Sequence, residues 1–241
     1  MATVSSSPTY SETAFPVPHV RTVIMRCLFG EIERHPSNTS KPNPDVFASD
    51  LPVFTTDVRM DKAKQLFEAG PRPGDFAISA TGGGGPVEMT FWAPEPAVQW
   101  RLSGRAYLLG PDADDDTEAA KTVREEIRKH LRLKEGEADK EDGWSWAREV
   151  TAIFGNMSPQ SRGWFRNPPP GTPVDQPLPD KRLGFGQKID DLEDELARQN
   201  FRVVVVVPHE VDQVDLSDLD GHKRWRHRLL DGKWQTVEVW P

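Results

Sequence analysis

The chain holds 241 residues, 36% hydrophobic and 28% charged, a composition that suits one globular domain with a sizeable core. Its formal net charge of -8 and pI near 5.3 exclude a global basic field, so nucleic acid and acidic membranes are not expected partners and any anion must be held locally. The single cysteine, Cys27, excludes an internal disulfide framework and a cysteine zinc cage, and no apolar run is long enough to span a bilayer; with a start, MATVSSSPTYSETAFPVPHV, that lacks a basic and an apolar leader region, this predicts a cytoplasmic protein.

Residues 1–18, rich in Ser, Thr and Pro, read as an irregular start. VRTVIMRCLFGE (20–31) is β-branched and apolar and predicts a strand that ends at Gly30. Four prolines make 31–52 loop-like, and FTTDVRMDKAKQL (54–66) follows as a strand running into a helix with Ala63, Leu66 and Phe67 on one face. Residues 70–86 read as a flexible loop. Its Gly82–Gly85 run is no dinucleotide fingerprint, because Pro86 leads into the strand VEMTFWAPE where that motif needs a helix; a linker or hairpin tip is expected.

VQWRLSGRAYLLG (98–110) alternates as a long strand, with Trp100 and Leu102 on one side and Gln99 and Arg101 on the other. An acidic loop leads to a helix over 118–135, where Val123, Ile127 and Leu131 recur every four residues. A second amphipathic helix starts at Trp144 and gives way to MSPQSR (157–162). Residues 167–184 read as a flexible, proline-rich loop, and KIDDLEDELARQN as a short helix with Ile189, Leu192 and Leu196 inward. The valines 203–207 predict a strand covered on both faces, and Asp231-Gly232 a hairpin between HKRWRHRLL and KWQTVEVW. Short helices among many strands predict a mainly β fold with peripheral helices, as an antiparallel, nearly closed sheet in one domain over 1–241.

Polar islands interrupt this pattern at 21–26, 55–62, 99–101, 157–162 and in HKRWRHR. None has metal-ligand spacing or a nucleophile elbow, and His222 and His227 fall on opposite faces of a strand. Arg, Lys, Thr, Ser and Gln in excess hold a phosphorylated ligand; they do not by themselves break bonds. At 55–62 two hydroxyls and the cations Arg59 and Lys62 stand at a strand-to-helix turn, an arrangement fit for a phosphate. Arg21 and Arg26 are five apart, so a regular strand sets them on opposite sides, and either a bulge intervenes or only one meets the ligand.

In order, RTVIMR, FTTDVRMDK, QWRLSG, MSPQSR, FRVVVVVP, HKR and the terminal VWP resemble the pyridoxamine 5'-phosphate oxidase-like family of FMN-binding split β-barrels, over roughly residues 19–241. The likeness is greatest to its oxidase-related FMN-binding branch. The resemblance implies FMN as cofactor, a small-molecule substrate, and a homodimer with flavin sites at the subunit interface. It implies that Arg21, Val23, Met25 and Arg26 line the FMN, with Arg26 also reaching the substrate, and that Thr55, Thr56 and Lys62 hold the phosphate and ribityl chain. Gln99, Gln160, Ser161 and Arg224 match further cofactor contacts, with Arg226 the competing choice for Arg224.

Departures from the family's namesake are equally legible. Tyr107 is the last tyrosine, so the residue that grips pyridoxal phosphate there has no counterpart, the helix usual before the first strand is missing, and 112–143 is acidic. The resemblance therefore implies an FMN-dependent oxidoreductase of unassigned substrate and no identified catalytic residue. A non-catalytic flavin-binding or interaction protein, a true pyridoxamine 5'-phosphate oxidase, and a barrel for haem or a deazaflavin are the alternatives.

Overall fold

The computed structural model describes residues 1–5, 16–70 and 81–241. Eleven strands and five α-helices occur among them. In chain order they are β1 (Ala2–Ser5), β2 (Val17–Val20), β3 (Met25–Leu28), β4 (Phe47–Ala48), β5 (Pro52–Asp57), α1 (Asp61–Glu68), β6 (Gly82–Ala93), β7 (Val98–Leu109), α2 (Glu118–Arg128), β8 (Arg132–Leu133), α3 (Trp146–Gly155), α4 (Pro159–Gly163), α5 (Glu195–Asn200), β9 (Phe201–Asp215), β10 (Lys223–Leu230) and β11 (Lys233–Val239). Every strand pairing is antiparallel, and nine strands form one sheet.

That sheet runs β3-β5-β9-β7-β6-β1-β2 and curls almost into a barrel, while β10 and β11 extend it beyond the far half of β9. The second edge of β9 changes partner along its length. Phe201–Val205 pairs with β5 and Glu210–Asp215 with β10, so the barrel splits between them. The expected valine strand lies at the centre of the fold. Val203 and Val205 face a core with Phe29, Phe154 and Phe201, whereas Val204 and Val206 face a second core with Phe54, Leu66 and Leu108. Two buried faces are why this strand reads as a continuous apolar run. The hairpin forms as expected, with Asp231 at φ 50° and Gly232 at φ 74°, the pair of positive angles a two-residue turn requires.

Several expectations need correction. The irregular start contains β1, and β2 overlaps its end; β1 pairs with both β2 and β6, and its Thr3 and Ser5 are buried, so Ser and Thr here are sheet residues. Residues 20–31 do not form one strand: the chain leaves the sheet at 21–24 and β3 begins at Met25. The glycine run is not a hairpin tip but the first part of β6. A Cβ at Gly85 would stand 2.5 Å from the Leu66 carbonyl oxygen, and one at Gly82 would stand 2.4 Å from the Phe67 ring. Gly83 and Gly84 have φ of 96° and 92°, and the register shifts between Gly83 and Gly85. The glycines thus let α1 lie directly on the sheet across a bulge. The remainder of the expected 70–86 loop, 71–80, lies outside the described residues.

Two helices are shorter than expected. α2 stops at Arg128, and α5 begins only at Glu195, where the Asp194 carboxylate accepts from the Ala197 N–H; Ile189 and Leu192 pack inward from irregular chain. No helix among the described residues is long and apolar enough to cross a membrane.

Candidate functional site

A cavity of about 710 Å³ opens beside the junction of β5 and α1. One wall is the crossing segment Thr22–Ile24 with Arg26; the floor is Thr55, Thr56, Asp57, Met60 and Lys62; the opposite wall is Trp164, Asn167–Val174 and Phe185. β5 is hydrogen-bonded on both sides, to β3 and β9, which buries Val53 and Phe54 and fixes Thr55 and Thr56 at its end. α1 then starts with Asp61 in its first turn, where the negative charge suits the helix dipole, and packs Ala63, Leu66 and Phe67 inward. Lys62 is left on the cavity side.

The polar groups of this floor meet one another. Lys62 Nζ donates to Thr56 Oγ1 at 3.1 Å and lies 2.7 Å from Met60 Sδ, and Arg26 Nε donates to Thr55 Oγ1 at 3.4 Å. Among the described residues neither Arg26 nor Lys62 has a carboxylate at ion-pair distance, while the neighbouring Arg59 is held by both oxygens of Asp57, at 2.9 and 2.6 Å. Arg59 is therefore spent inside the junction, and the cations facing the cavity are Arg26 and Lys62. Burial pushes the Lys62 ammonium below its ordinary value, and the Arg21 charge pushes the same way against Asp57 and Asp61. Burial likewise lowers Arg26. Two partly desolvated cations and two hydroxyls, with no described carboxylate at ion-pair distance from either cation, can offer charge and hydrogen bonds together to an anion with several acceptor oxygens.

The spacing conflict between Arg21 and Arg26 resolves both ways. The β3–β5 register shifts between Met25 and Cys27, so Arg26 is the extra residue of a bulge and turns toward Thr55. Arg21 lies before the strand and does not line the cavity. Its guanidinium donates to Thr3 Oγ1 at 2.6 Å and Gln65 Oε1 at 3.0 Å, tying β1 to α1. It acts on Lys62 only through its field. Val23 lines the cavity; Met25 is exposed and does not.

The remaining sequence-predicted residues stand elsewhere in the chain. Gln99 on β7 and Arg224 on β10 flank Val214 of β9 in register, and the next row on the same face is Arg101, Asp212, Arg226. Asp212 accepts from Arg224 Nε at 3.0 Å and Nη2 at 2.6 Å and from Arg101 at 3.2 Å, with Arg226 at 3.7 Å. The Arg224 bonds are the main reason the Asp212 carboxyl lies below its usual range. From Arg202, opposite Thr56, to Val214 is a run of twelve residues along β9, roughly 40 Å at the usual strand rise. Gln160 is exposed on α4, and the Ser161 hydroxyl meets Ser158 Oγ at 3.0 Å; neither lines the cavity. The chain thus carries a phosphate-like floor at one end of β9 and an arginine-rich face at the other.

Sequence reasoning missed the wall formed by Trp164, Asn167–Val174 and Phe185. Its signal was the presence of large apolar residues inside a proline-rich loop, where a solvated linker has no use for them.

Comparison with known proteins agrees with this architecture. Residues 1–110 match the family model described as "Pyridoxamine 5'-phosphate oxidase, FMN-binding domain". An uncharacterized protein of Saccharomyces cerevisiae, YGR017W, is 24% identical over 100 residues, 40% of this chain and 34% of the yeast protein, so the match spans about a third of that relative's length. The crystal structure of a pyridoxamine 5'-phosphate oxidase-related, FMN-binding protein from Nostoc punctiforme superposes with a TM-score of 0.54 at 16% identity, covering 100% of this chain and 87% of that one, and shares its split-barrel fold. PhzG from Burkholderia lata, crystallised with tetrahydrophenazine-1-carboxylic acid, aligns at a TM-score of 0.39 and 12% identity, over 100% of this chain and 81% of that one.

Proposed function

We propose, from the match of residues 1–110 to the FMN-binding domain model of pyridoxamine 5'-phosphate oxidase, that the chain is a cytoplasmic, homodimeric flavoprotein, an FMN-dependent oxidoreductase acting on a small molecule. The observation that carries the reading is the floor of the cavity. Arg26 and Lys62, unneutralised by any described carboxylate, stand with Thr55 and Thr56 where a phosphate monoester would receive charge and hydrogen bonds together. Bound there, FMN supplies hydride or electron transfer; the residues of the chain bind and orient it. Thr55 and Thr56 offer hydroxyls to the phosphate and the start of the ribityl chain.

The length of β9 supports the homodimer. Gln99 and Arg224 stand twelve residues along β9 from the floor, a contour of at most roughly 40 Å, and neither lines the cavity whose floor their own chain supplies. A second copy, docked so that its arginine-rich face meets this cavity, brings both sets onto one cofactor.

FMN titration of the purified protein tests the first part. One FMN per chain is expected, with Thr56→Ala and Lys62→Ala together abolishing most of the affinity; affinity unchanged in that variant sinks the phosphate assignment. Anaerobic mixing of the loaded protein with NADPH, and separately with pyridoxamine 5'-phosphate, tests the second part. Bleaching of the flavin by a donor supports an oxidoreductase, and a flavin that no donor reduces favours a non-catalytic binding protein.

A further inference from the structure

We propose that a second cavity, between α3 and the segment leading into α5, binds a small zwitterion, a free amino acid whose carboxylate and ammonium bridge walls of opposite charge. The cavity measures about 690 Å³ and shares no lining residue with the one at the β5–α1 junction, so it stands apart from the FMN reading. Its lining carries three cations, Lys41, Arg148 and Arg198, and three carboxylates, Asp190, Asp191 and Glu193. Among the described residues none of the six has an opposite charge at ion-pair distance. Opposite charges around one cavity attract each other, so their separation means that the walls hold them apart. A simple anion entering there meets three carboxylates, and a simple cation meets three basic groups. A net-neutral molecule with separated charges suits both walls at once.

Arg198 sets where the carboxylate goes. It is 9% exposed, a burial that arginine rarely reaches without a charged partner. Its Nη2 donates to Thr151 Oγ1 at 2.8 Å and its guanidinium carbon lies 5.5 Å from the centre of the Phe154 ring, while Nη1 has no hydrogen-bond partner among the described residues. One hydroxyl and one ring face do not replace a carboxylate. Burial pushes the Arg198 pKa below its ordinary value, and Glu193 offsets this through its field alone. A ligand carboxylate beside Arg198 supplies the missing negative charge, and Asp190, Asp191 and Glu193 are left to receive the ammonium. Pro111, Ala147 and Leu192 give the same cavity an apolar part that fits an aliphatic side chain.

The walls are fixed independently of one another. Asn38 Nδ2 donates to Ala152 O at 2.9 Å and Ser40 N to Asn38 Oδ1 at 3.0 Å, which ties the loop carrying Lys41 to α3. Arg148 is held by the Gly143 carbonyl at 2.9 Å. On the acidic side Ile189 N donates to Pro159 O at 3.0 Å, Ile189 O accepts from Arg162 Nε at 2.7 Å, and Leu192 packs on the core. Asp191 Oδ1 also accepts from Glu193 N at 2.9 Å. Walls already held in shape cost little further ordering when a ligand binds.

Calorimetric titration of the purified protein with L-leucine, N-acetyl-L-leucine and L-leucinamide tests the site. Leucine should bind with a Kd of about 1 mM or tighter, and each analogue, which lacks one of the two charges, at least about tenfold more weakly. Asp190→Asn together with Glu193→Gln, both at exposed positions, should weaken leucine about tenfold and leave N-acetyl-L-leucine no weaker, with the thermal melt unchanged. Arg198→Gln should abolish leucine binding; because that side chain is buried, the analogue series on the parent protein decides the matter if the variant does not fold. An analogue that equals leucine, no leucine binding below about 10 mM, or leucine affinity indifferent to the double variant overturns the proposal. Release of FMN from the loaded protein by leucine overturns it too, because the amino acid would then sit in the first cavity.

Discussion

Replacing Lys62 by Met should move two properties in opposite directions. The methionine keeps most of the apolar stem that packs beside Met60 and removes the ammonium that donates to Thr56 Oγ1 at 3.1 Å. A charged hydrogen bond to phosphate contributes about 1.5–3 kcal/mol, so FMN affinity should fall by roughly 10- to 150-fold. The Coulomb term for a charge pair 4 Å apart at an effective dielectric of 20, about 4 kcal/mol, sets a ceiling on that loss. Without FMN the sign reverses. Burial and the Arg21 charge hold Lys62 below its ordinary pKa, which means that the folded chain disfavours this cation. Lys62→Met should therefore stabilise the cofactor-free protein, by about 1 kcal/mol or less because the group is only half-buried. A depressed folded pKa for a cation penalises folding below that pKa, and the penalty fades as pH rises through it toward the unfolded value. The parent should thus gain stability over the variant across that alkaline interval. FMN fluorescence quenching and urea unfolding of the FMN-free proteins measure the two effects. Unchanged FMN affinity, or a variant that unfolds more easily at every pH, refutes this account of the floor.

Three other substitutions probe the frame around the site. Glu149 is 1% exposed, with Oε2 accepting from Asn43 at 2.9 Å; burial pushes its carboxyl up against the hydrogen bonds from Asn43 and the Gly30 backbone, so the folded chain is penalised as pH rises through that raised pKa, and Glu149→Gln should stabilise by about 1–2 kcal/mol in urea melts at pH 8 and by less at pH 5. Gly85→Ala places a Cβ 2.5 Å from the Leu66 carbonyl oxygen and should cost about 1–3 kcal/mol by the same melts, with FMN affinity falling as α1 is pushed off the sheet. Asp212→Asn leaves Arg101, Arg224 and Arg226 facing one another without their carboxylate and should cost roughly 1–3 kcal/mol; because the Asp212 pKa is depressed, the parent's advantage should be present at neutral pH and vanish as acid titrates it, so a constant difference down to low pH refutes the role.

What the sequence revealed and what it hid have separate physical causes. The valine run, the Asp231-Gly232 hairpin and the β5–α1 junction were legible because each follows from a local rule: burial on two faces, a turn that needs two positive φ angles, a helix that starts where a strand ends. The glycine run was misread because its cause lies elsewhere. Glycine in isolation signals loss of order, and nothing local announces that Leu66 and Phe67 will press against those positions. β1 was hidden likewise, since Thr3 is buried through a bond to Gln65, sixty-two residues away. At the site, Val23, Arg26, Thr55, Thr56 and Lys62 converge as expected, whereas Gln99 and Arg224 share a row that only strand register defines. Arg59 looked equal to Lys62 in sequence, and a carboxylate two residues earlier decided between them.

The shared position of β9 has a consequence for how the molecule opens. Its amides between Phe201 and Val205, and again from Glu210 to Asp215, lie among strands on both edges, and its side chains close two separate cores. Neither core can be exposed to solvent while the other stays sealed, so fluctuations that free this strand are fluctuations of the whole barrel. Hydrogen exchange should then find one slow class spanning β9 and the facing part of β7, with a faster seam at 206–209, where one neighbour has left and the next has not yet begun.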